Sequence, residues 1–447
     1  MTQTKMTKEP SSFRDHSGYV YMEGEDLYRS INPCYLSDYS LLVSSGLYDE
    51  LTLEGLLIPH EDLGEDEGRW IIKPRKVGFI SYPYEWSFGM LKDAALVTLE
   101  IQKRAMDHGM VLKDASAYNI QFVNGRPTLI DTLSFSRYVE GEPWVAYRQF
   151  CQHFINPLAL MSYSDIRLGR LLSTYIDGIP SDITSKLLPV HTLFRPSLLG
   201  HIHFHSLGGE KKGGKKRRMR KVFLQALINN LESTVKKLKW GPTGGWSGYK
   251  KAMSYGEDDF ERKKEIVSEF LRKAGPRKVW DLGSNLGEFS EIATREGAEV
   301  IAFDMDPACV ETHYRSKRGG LPLLIDLTNP SPGIGWENRE RKSLTERGPA
   351  DIIMALALIH HLAIGNNVPL DRIAEFFSSL CRYLIIEFVP KADPQVQKML
   401  ENREDIFDGY AEFAFAGEFG KYFKVMEKCP VGNTGRTIYL MGKEAGA

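Results

Sequence analysis

Apolar and polar positions along residues 250–447 follow two alternating periods. Short apolar runs, "KVWDLG", "EVIAFD", "LPLLID", "DIIMALALI" and "RYLIIEFV", have the length and β-branched content of buried strands. Between several of them, "EFSEIATREG", "PACVETHYRSKRG" and "LDRIAEFFSSLC" carry apolar residues at helical spacing. Strands and helices in this order predict an α/β fold whose mostly parallel sheet is covered on both faces. A preceding helix, "DDFERKKEIVSEFLRKAG", stops at Gly275 and Pro276. The chain closes with "YFKVMEKCPVGNTGRTIYLMG", two strands about a Gly-Asn-Thr-Gly turn, which predicts an antiparallel pair at one sheet edge.

The N-terminal half is less regular and reads as α+β. "GYVYMEGEDLYRSI" predicts a hairpin, "LSDYSLLVSSGLYDELTLEGLL" one or two helices, and "RWIIKP" and "VGFISYPY" strands. "GMLKDAALVTLEIQKRAMDHG" predicts a long amphipathic helix ending on Gly109. No segment repeats.

Length changes this picture by requiring more than one core, since 447 residues exceed an ordinary single domain. The run "GGEKKGGKKRRMRK", Gly208 to Lys221, cannot bury itself and reads as a solvated connection. The expected division is a domain over 12–207, a basic linker and helix over 208–249, and a second domain over 250–447. Charge balances, with 57 Lys plus Arg against 58 Asp plus Glu, so no global field draws the chain to nucleic acid or to an acidic membrane. The basic run is the one local ground for a nucleic-acid partner. Five scattered cysteines, with no Cys-x-x-Cys pair, argue against a disulfide framework and a zinc site. The N-terminus lacks an apolar leader and the most apolar stretch is too short to span a bilayer, so a cytoplasmic protein with no metal is expected.

The chemistry centres on "RKVWDLGSNLGEFSEIA". A strand-to-helix turn with Gly283 and Gly287 lets backbone approach a ligand, and the helix N-terminus adds partial positive charge. A dinucleotide fingerprint needs a glycine where Asn285 stands, so pyrophosphate has little room. Asp281, just before the turn, repels phosphate and suits an ammonium instead. The next strand ends in "FDMDP", where Asp304, with Asp306 second and Met305 between them, is placed to receive ribose hydroxyls. The third strand ends in "LIDLTNP", which puts Asp326 where an adenine amino group can be bonded. Singly, an aspartate ending a strand is more often a helix cap or turn former.

Together, Asp281, Gly283, Gly287, Asp304 and Asp326 resemble the motifs of class I S-adenosylmethionine-dependent methyltransferases, over roughly the C-terminal half. That resemblance implies a seven-stranded sheet with a terminal antiparallel hairpin, and S-adenosylmethionine as cofactor. The methyl acceptor then lies beyond the fourth strand, "ALIHHLAIGNN", where His360 and His361 are candidate general bases, or histidines that merely pack. Glu387, ending the next strand, is a further candidate, with Lys391 and Asp393 just beyond. "NPSP", Asn329 to Pro332, follows the wrong strand and lacks the aromatic residue of amino-methylating enzymes. "LKDASAYNIQF" and "ALIHHLAIGNNVPL" also resemble nodulation-associated, methyltransferase-like proteins.

"LKDASAYNIQFVNGRPTLIDTLSF" places Asn119 five positions after Asp114, and Asp131 at the end of the next strand. These spacings resemble the catalytic loop of protein-kinase-like and aminoglycoside-phosphotransferase-like folds, which implies ATP and magnesium. Departures are substantial. Leu112-Lys113 replaces the usual His-Arg, Asp131-Thr132-Leu133 replaces Asp-Phe-Gly, and no glycine-rich loop precedes Gly18. Arg29 or Lys73 would take the place of the phosphate-pairing lysine.

The expected function is methyl transfer to an oxygen or nitrogen of a small-molecule or saccharide acceptor. Alternatives are a bifunctional kinase-methyltransferase and a nucleotide-sensing scaffold without turnover.

Overall fold

The computed structural model describes residues 6–66, 68–207, 218–241, 256–401 and 403–443. Most of the basic run and the Gly-rich segment "GPTGGWSGY" lie outside them. The chain forms two compact units, one comprising residues up to Trp240 together with Gly333–Arg341, the other Gly241–Pro332 with Lys342–Ala447.

The first unit opens with an antiparallel sheet of β1 (Thr7–Lys8), β2 (Gly18–Glu23), β3 (Asp26–Ile31), β4 (His60–Asp66) and β5 (Arg69–Pro74), in the order β1-β2-β3-β5-β4. Two helices, α1 (Leu36–Ser44) and α2 (Leu47–Leu53), lie between β3 and β4 in sequence. The long helix α3 (Phe88–Asp107) is capped by the Ser87 hydroxyl and followed by Gly109 at φ 72°. Beyond it, β6 (Met110–Leu112) pairs with β9 (Phe135–Arg137), and β7 (Ile120–Val123) with β8 (Arg126–Leu129).

Two expectations need correction here. "VGFISYPY" is not a strand: it bends at Gly78 and Phe79, its last two residues open the short 3-10 helix Pro83–Glu85, and the Gln121 side-chain amide takes both the N–H and the C=O of Ser81, at 2.9 Å each, where a neighbouring strand would otherwise be needed. Conversely β4, "HEDLGED", is a strand that hydrophobic patterning missed. It lies at the sheet edge, where charged residues discourage further pairing.

The second unit is built on seven strands: β10 (Lys278–Leu282), β11 (Glu299–Asp304), β12 (Leu321–Leu324), β13 (Ala350–Ala355), β14 (Cys381–Phe388), β15 (Lys424–Pro430) and β16 (Thr437–Gly442). Their order is β12-β11-β10-β13-β14-β16-β15, parallel through β14 and antiparallel at β16 and β15. This is the seven-stranded sheet with a terminal hairpin that the resemblance implied. The first reversal of strand order falls at β10, which is where an open α/β sheet leaves a crevice beyond its carboxyl ends.

Helices α4 (Glu257–Ala274), α5 (Glu288–Arg295), α6 (Pro307–Ser316) and α7 (Leu370–Leu380) complete the layers that concern the site. Ile266, Val267, Phe270 and Leu271 of α4 pack with Val279, Val300, Ile352, Met354, Ile385 and Leu440 in one buried cluster. Side chains alternate along a strand, so Asp281 faces the same side as Val279, at the open end of that apolar layer.

Candidate functional site

Past β10 the backbone turns sharply, with Gly283, Asn285 and Gly287 at φ 72°, 49° and 81°. The N–H groups of Gly283 and Ser284 both donate to the Phe303 carbonyl, at 2.8 and 3.0 Å, which ties the turn to the end of β11. Gly287 serves packing as well as conformation: a Cβ there would lie 2.3 Å from His313 Nε2 on α6. It lets two helices close and is absent from the cavity lining, whereas Gly283 is part of it.

That cavity measures about 620 Å³ and is bounded by the strand ends of the second unit. Asp281, Asn285, Asp304, Met305, Asp326, His360 and His361 all line it. The three aspartates come from the ends of β10, β11 and the chain just past β12, so successive parallel strands supply one rim.

Their environments differ. Asp281 is 2 % exposed, and its Oδ2 accepts the Ser290 hydroxyl at 2.6 Å. Burial pushes its carboxyl up to about 7, opposed by the Ser290 hydrogen bond and raised further by the charge on Asp304. An ammonium placed beside it would restore the charged form. Asp304 accepts the Asn285 N–H through Oδ2 at 2.8 Å and the Asp306 N–H through Oδ1 at 2.9 Å. Burial raises its carboxyl despite those bonds. Each oxygen keeps acceptor capacity for a hydroxyl. Asp306 is a helix cap, accepting the Ala308 N–H at 2.7 Å, and Asp326 fixes its own loop through the N–H and hydroxyl of Thr328.

On the far side of the crevice, β13 leads into Ala357 at φ 50°, a left-handed conformation that costs a non-glycine residue about 1–2 kcal/mol. His360 and His361 follow, with ring centroids 4.3 Å apart. His360 is 2 % exposed and its Nδ1 has no hydrogen-bond partner. Burial drives its imidazole well below the usual range, reinforced by His361, Arg436 and Lys263. His361, on the surface of the crevice, is lowered in the same direction by burial. Burial thus favours the neutral form of both rings.

Glu387 does not line the cavity. It is fully buried, 2.6 Å from Lys263 Nζ and 3.4 Å from Arg436 Nη1, while Arg436 Nε reaches Asp393 at 2.8 Å. Sequence reasoning missed Lys263 and Arg436, both of which do line the cavity. A signal existed for the first: Lys263 sits on the stripe of Ile266, Val267 and Phe270, where a lone cation breaks an apolar face.

In the first unit, Asp114, Asn119, Asp131 and Arg29 share one polar cluster. Arg29 Nη2 lies 2.9 Å from Asp131 Oδ1 and 2.5 Å from Asp15 Oδ2. Ser134 bridges Asp131 and Asn119, at 2.7 and 3.2 Å. Burial and the neighbouring Asp131 charge raise the Asp114 carboxyl, against hydrogen bonds that include Asn119. Lys73 takes no part; its ammonium pairs with Asp26 at 2.9 Å. Among the described residues, no group of three or more histidine, cysteine, aspartate or glutamate side chains is arranged to hold a metal ion. No helix is long and apolar enough to cross a membrane among those residues.

Over 451 aligned residues the chain is 36% identical to nodulation protein NoeA of Rhizobium meliloti (strain 1021), spanning 96% of this chain and 94% of that protein. The chain belongs to the NoeA family of nodulation proteins. No family model matches it. Among solved structures, it is similar to magnesium protoporphyrin IX methyltransferase of Synechocystis PCC 6803 with bound SAM, at 15% identity and TM-score 0.31, covering 44% of this chain and 92% of that one. The N-methyltransferase NodS of Bradyrhizobium japonicum WM9 matches at 11% identity and TM-score 0.30, covering 42% and 98%. WbdD, crystallised with a kinase inhibitor, matches at 13% and 0.30, covering 46% of each chain. At these scores the sheet order itself, rather than the likenesses, is the ground for the fold of the NoeA-family chain.

Proposed function

We propose that the second unit is an S-adenosylmethionine-dependent methyltransferase acting on an oxygen or nitrogen of a small molecule or saccharide. One observation carries this reading: Asp281, Asp304 and Asp326, at the ends of three successive parallel strands, open onto a single cavity beside the Gly283 turn. An adenosyl sulfonium has an ammonium, two ribose hydroxyls and an adenine amino group to offer these carboxylates in turn. Membership among nodulation proteins is the ground for including saccharides.

In the transfer, an acceptor lone pair forms a bond to the methyl carbon as the carbon–sulfur bond breaks and its electrons return to sulfur, leaving S-adenosylhomocysteine. Geometry does most of this work, because an in-line displacement needs the two reactants held close and aligned. The acceptor proton then has two neutral imidazoles nearby. His361, at the crevice surface, is assigned as general base, and the unpartnered Nδ1 of His360 as a hydrogen-bonding group for the acceptor. Glu387, bound to two cations, is assigned a positioning part, holding Lys263 and Arg436 beneath the cavity.

Incubation with S-adenosyl[methyl-³H]methionine and candidate oligosaccharides and small metabolites tests this reading. Label transferred to an acceptor, and lost in Asp304→Ala, is expected; no transfer to any acceptor, with the cofactor bound, would move the unit to the class of ligand sensors.

A second reading concerns the first unit. The antiparallel order β1-β2-β3-β5-β4, helices between β3 and β4, and the convergence of Asp114, Asn119, Asp131 and Arg29 support a kinase-like site for ATP. Magnesium would have to be held by Asp131 and Asn119 with the phosphates themselves. A scaffold that senses nucleotide without turnover uses the same site.

A further inference from the structure

The loop between β1 and β2 carries an acid where a phosphate-covering loop would need none. Asp15 accepts the Ser17 N–H through Oδ1 at 2.8 Å and the Arg29 guanidinium through Oδ2 at 2.5 Å. A backbone N–H and a guanidinium converging on one small anion are the donors with which proteins hold phosphate oxygens. Here both are taken by a carboxylate of the same chain.

The surroundings keep that carboxylate in place. Ser17 is 7 % exposed, and its hydroxyl accepts the Lys113 ammonium at 2.6 Å. Gly18 runs so close to β3 that a Cβ would lie 2.0 Å from the Ser30 carbonyl oxygen, which fixes the loop's exit. At its entrance, Arg14 Nε reaches Glu340, 5 % exposed, at 2.6 Å within the same unit. Asp15 is thus held from both sides onto a cation whose side chain is only 11% exposed.

Charge explains why the arrangement excludes a polyphosphate. Asp15 and Asp131 already surround Arg29, with Asp114 beside Asp131, so an incoming nucleotide meets carboxylates rather than a free guanidinium. Like charges at such separations repel strongly away from bulk water. Rotation of the Asp15 side chain off Arg29 would remove one of these carboxylates and uncover Arg29 and the Ser17 N–H together.

We infer that the Asp15 carboxylate occupies the phosphate position of the first unit's site, and that a nucleotide phosphate binds only when Asp15 leaves Arg29. This inference rests on the kinase-like reading of that unit. The ligand class is a nucleoside di- or triphosphate, recognised through its phosphates; the latch holds the site in a resting state.

Binding of magnesium ADP and of tripolyphosphate, measured calorimetrically on the full chain, tests it with Asp15→Asn, Asp15→Glu and Glu340→Gln beside the wild type. Removing the charge in Asp15→Asn is expected to raise affinity for both probes at least tenfold. Asp15→Glu should stay near wild type, and Glu340→Gln, which frees Arg14 without touching the cluster, should give a smaller gain of the same sign. Thermal unfolding confirms that each variant is folded, and Glu340→Gln keeps the test open if Asp15→Asn is not. Wild-type binding as tight as that of Asp15→Asn would overturn the latch while leaving the nucleotide site intact. Absence of binding in every folded variant would overturn both.

Discussion

Asp304 and Asn285 are joined across the mouth of the crevice by a hydrogen bond of 2.8 Å from the Asn285 N–H to the Asp304 Oδ2. The bond makes the turn after β10 and the end of β11 one unit, and it holds the carboxylate over the cavity instead of letting it swing into solvent. Left-handed backbone at Asn285 aims the N–H that way. The acid proposed to hold a ribose is therefore preset by the turn proposed to hold the rest of the cofactor.

The raised carboxyl of Asp281 links cofactor binding to pH. If an ammonium binds the ionised form, affinity for S-adenosylmethionine should climb as pH rises from 6 to 8 through the value of about 7, and binding near pH 7 should release protons. Titrations in two buffers of different ionisation heat would reveal that release. Affinity flat across this range would separate Asp281 from the ligand.

The same group sets a trend in stability. Its folded value lies above the ordinary carboxylate value of 3.8, so the folded state holds an extra proton between about 4 and 7. Stability from this site is complete below that window and is lost as pH rises through it. Asp281→Asn should flatten the dependence in denaturant unfolding; an unchanged slope would count against the buried, protonated acid.

Gly287→Ala is expected to destabilise the second unit by about 1–3 kcal/mol, since it adds both strain at positive φ and a clash with His313. Because Gly287 does not touch the cavity, the folded fraction of this variant should still bind cofactor. Urea unfolding monitored by tryptophan fluorescence, with a cofactor titration below the transition, measures both.

Lys263 and Glu387 are buried together, with Arg436 as the second cation on Glu387, so removing either unbalances a shared ionic network. Glu387→Gln, which removes the acid facing two cations, should cost about 3–5 kcal/mol, Lys263→Met less because Arg436 still faces Glu387, and a joint apolar replacement much less than their sum. Additive losses in the double-mutant cycle would show the pair to be independent. By contrast, His361→Ala should leave folding and cofactor affinity alone and lower kcat roughly a hundredfold or more if its imidazole takes the acceptor proton.

How far the sequence reveals this molecule depends on which residues do the organising. The second unit's sheet is legible because buried parallel strands are written as continuous apolar runs, and because Asp281, Asp304 and Asp326 each close one of them. Gly287 is legible as a fixed point of the turn, but its partner His313 lies on another helix and leaves no local trace. Arg436 is far from the glycine turn in sequence, and only tertiary packing brings it under the crevice, whereas Lys263 is marked in the sequence only as a cation breaking the apolar face of α4. Glu387 illustrates the converse: a strand-end acid reads as chemistry until its two cations are seen. In the first unit, β4 is hidden by its charges, and "VGFISYPY" misleads because a glutamine side chain from β7 takes the part of a neighbouring strand.

Calorimetric titration of the full chain with S-adenosylmethionine, beside Asp304→Asn, bears most directly on the central claim. Saturable one-to-one binding by the wild type, weakened at least tenfold in the folded variant, a loss of about 1.4 kcal/mol or more, is the expected result. Absence of wild-type binding at millimolar cofactor, or equal affinity in Asp304→Asn, would contradict it.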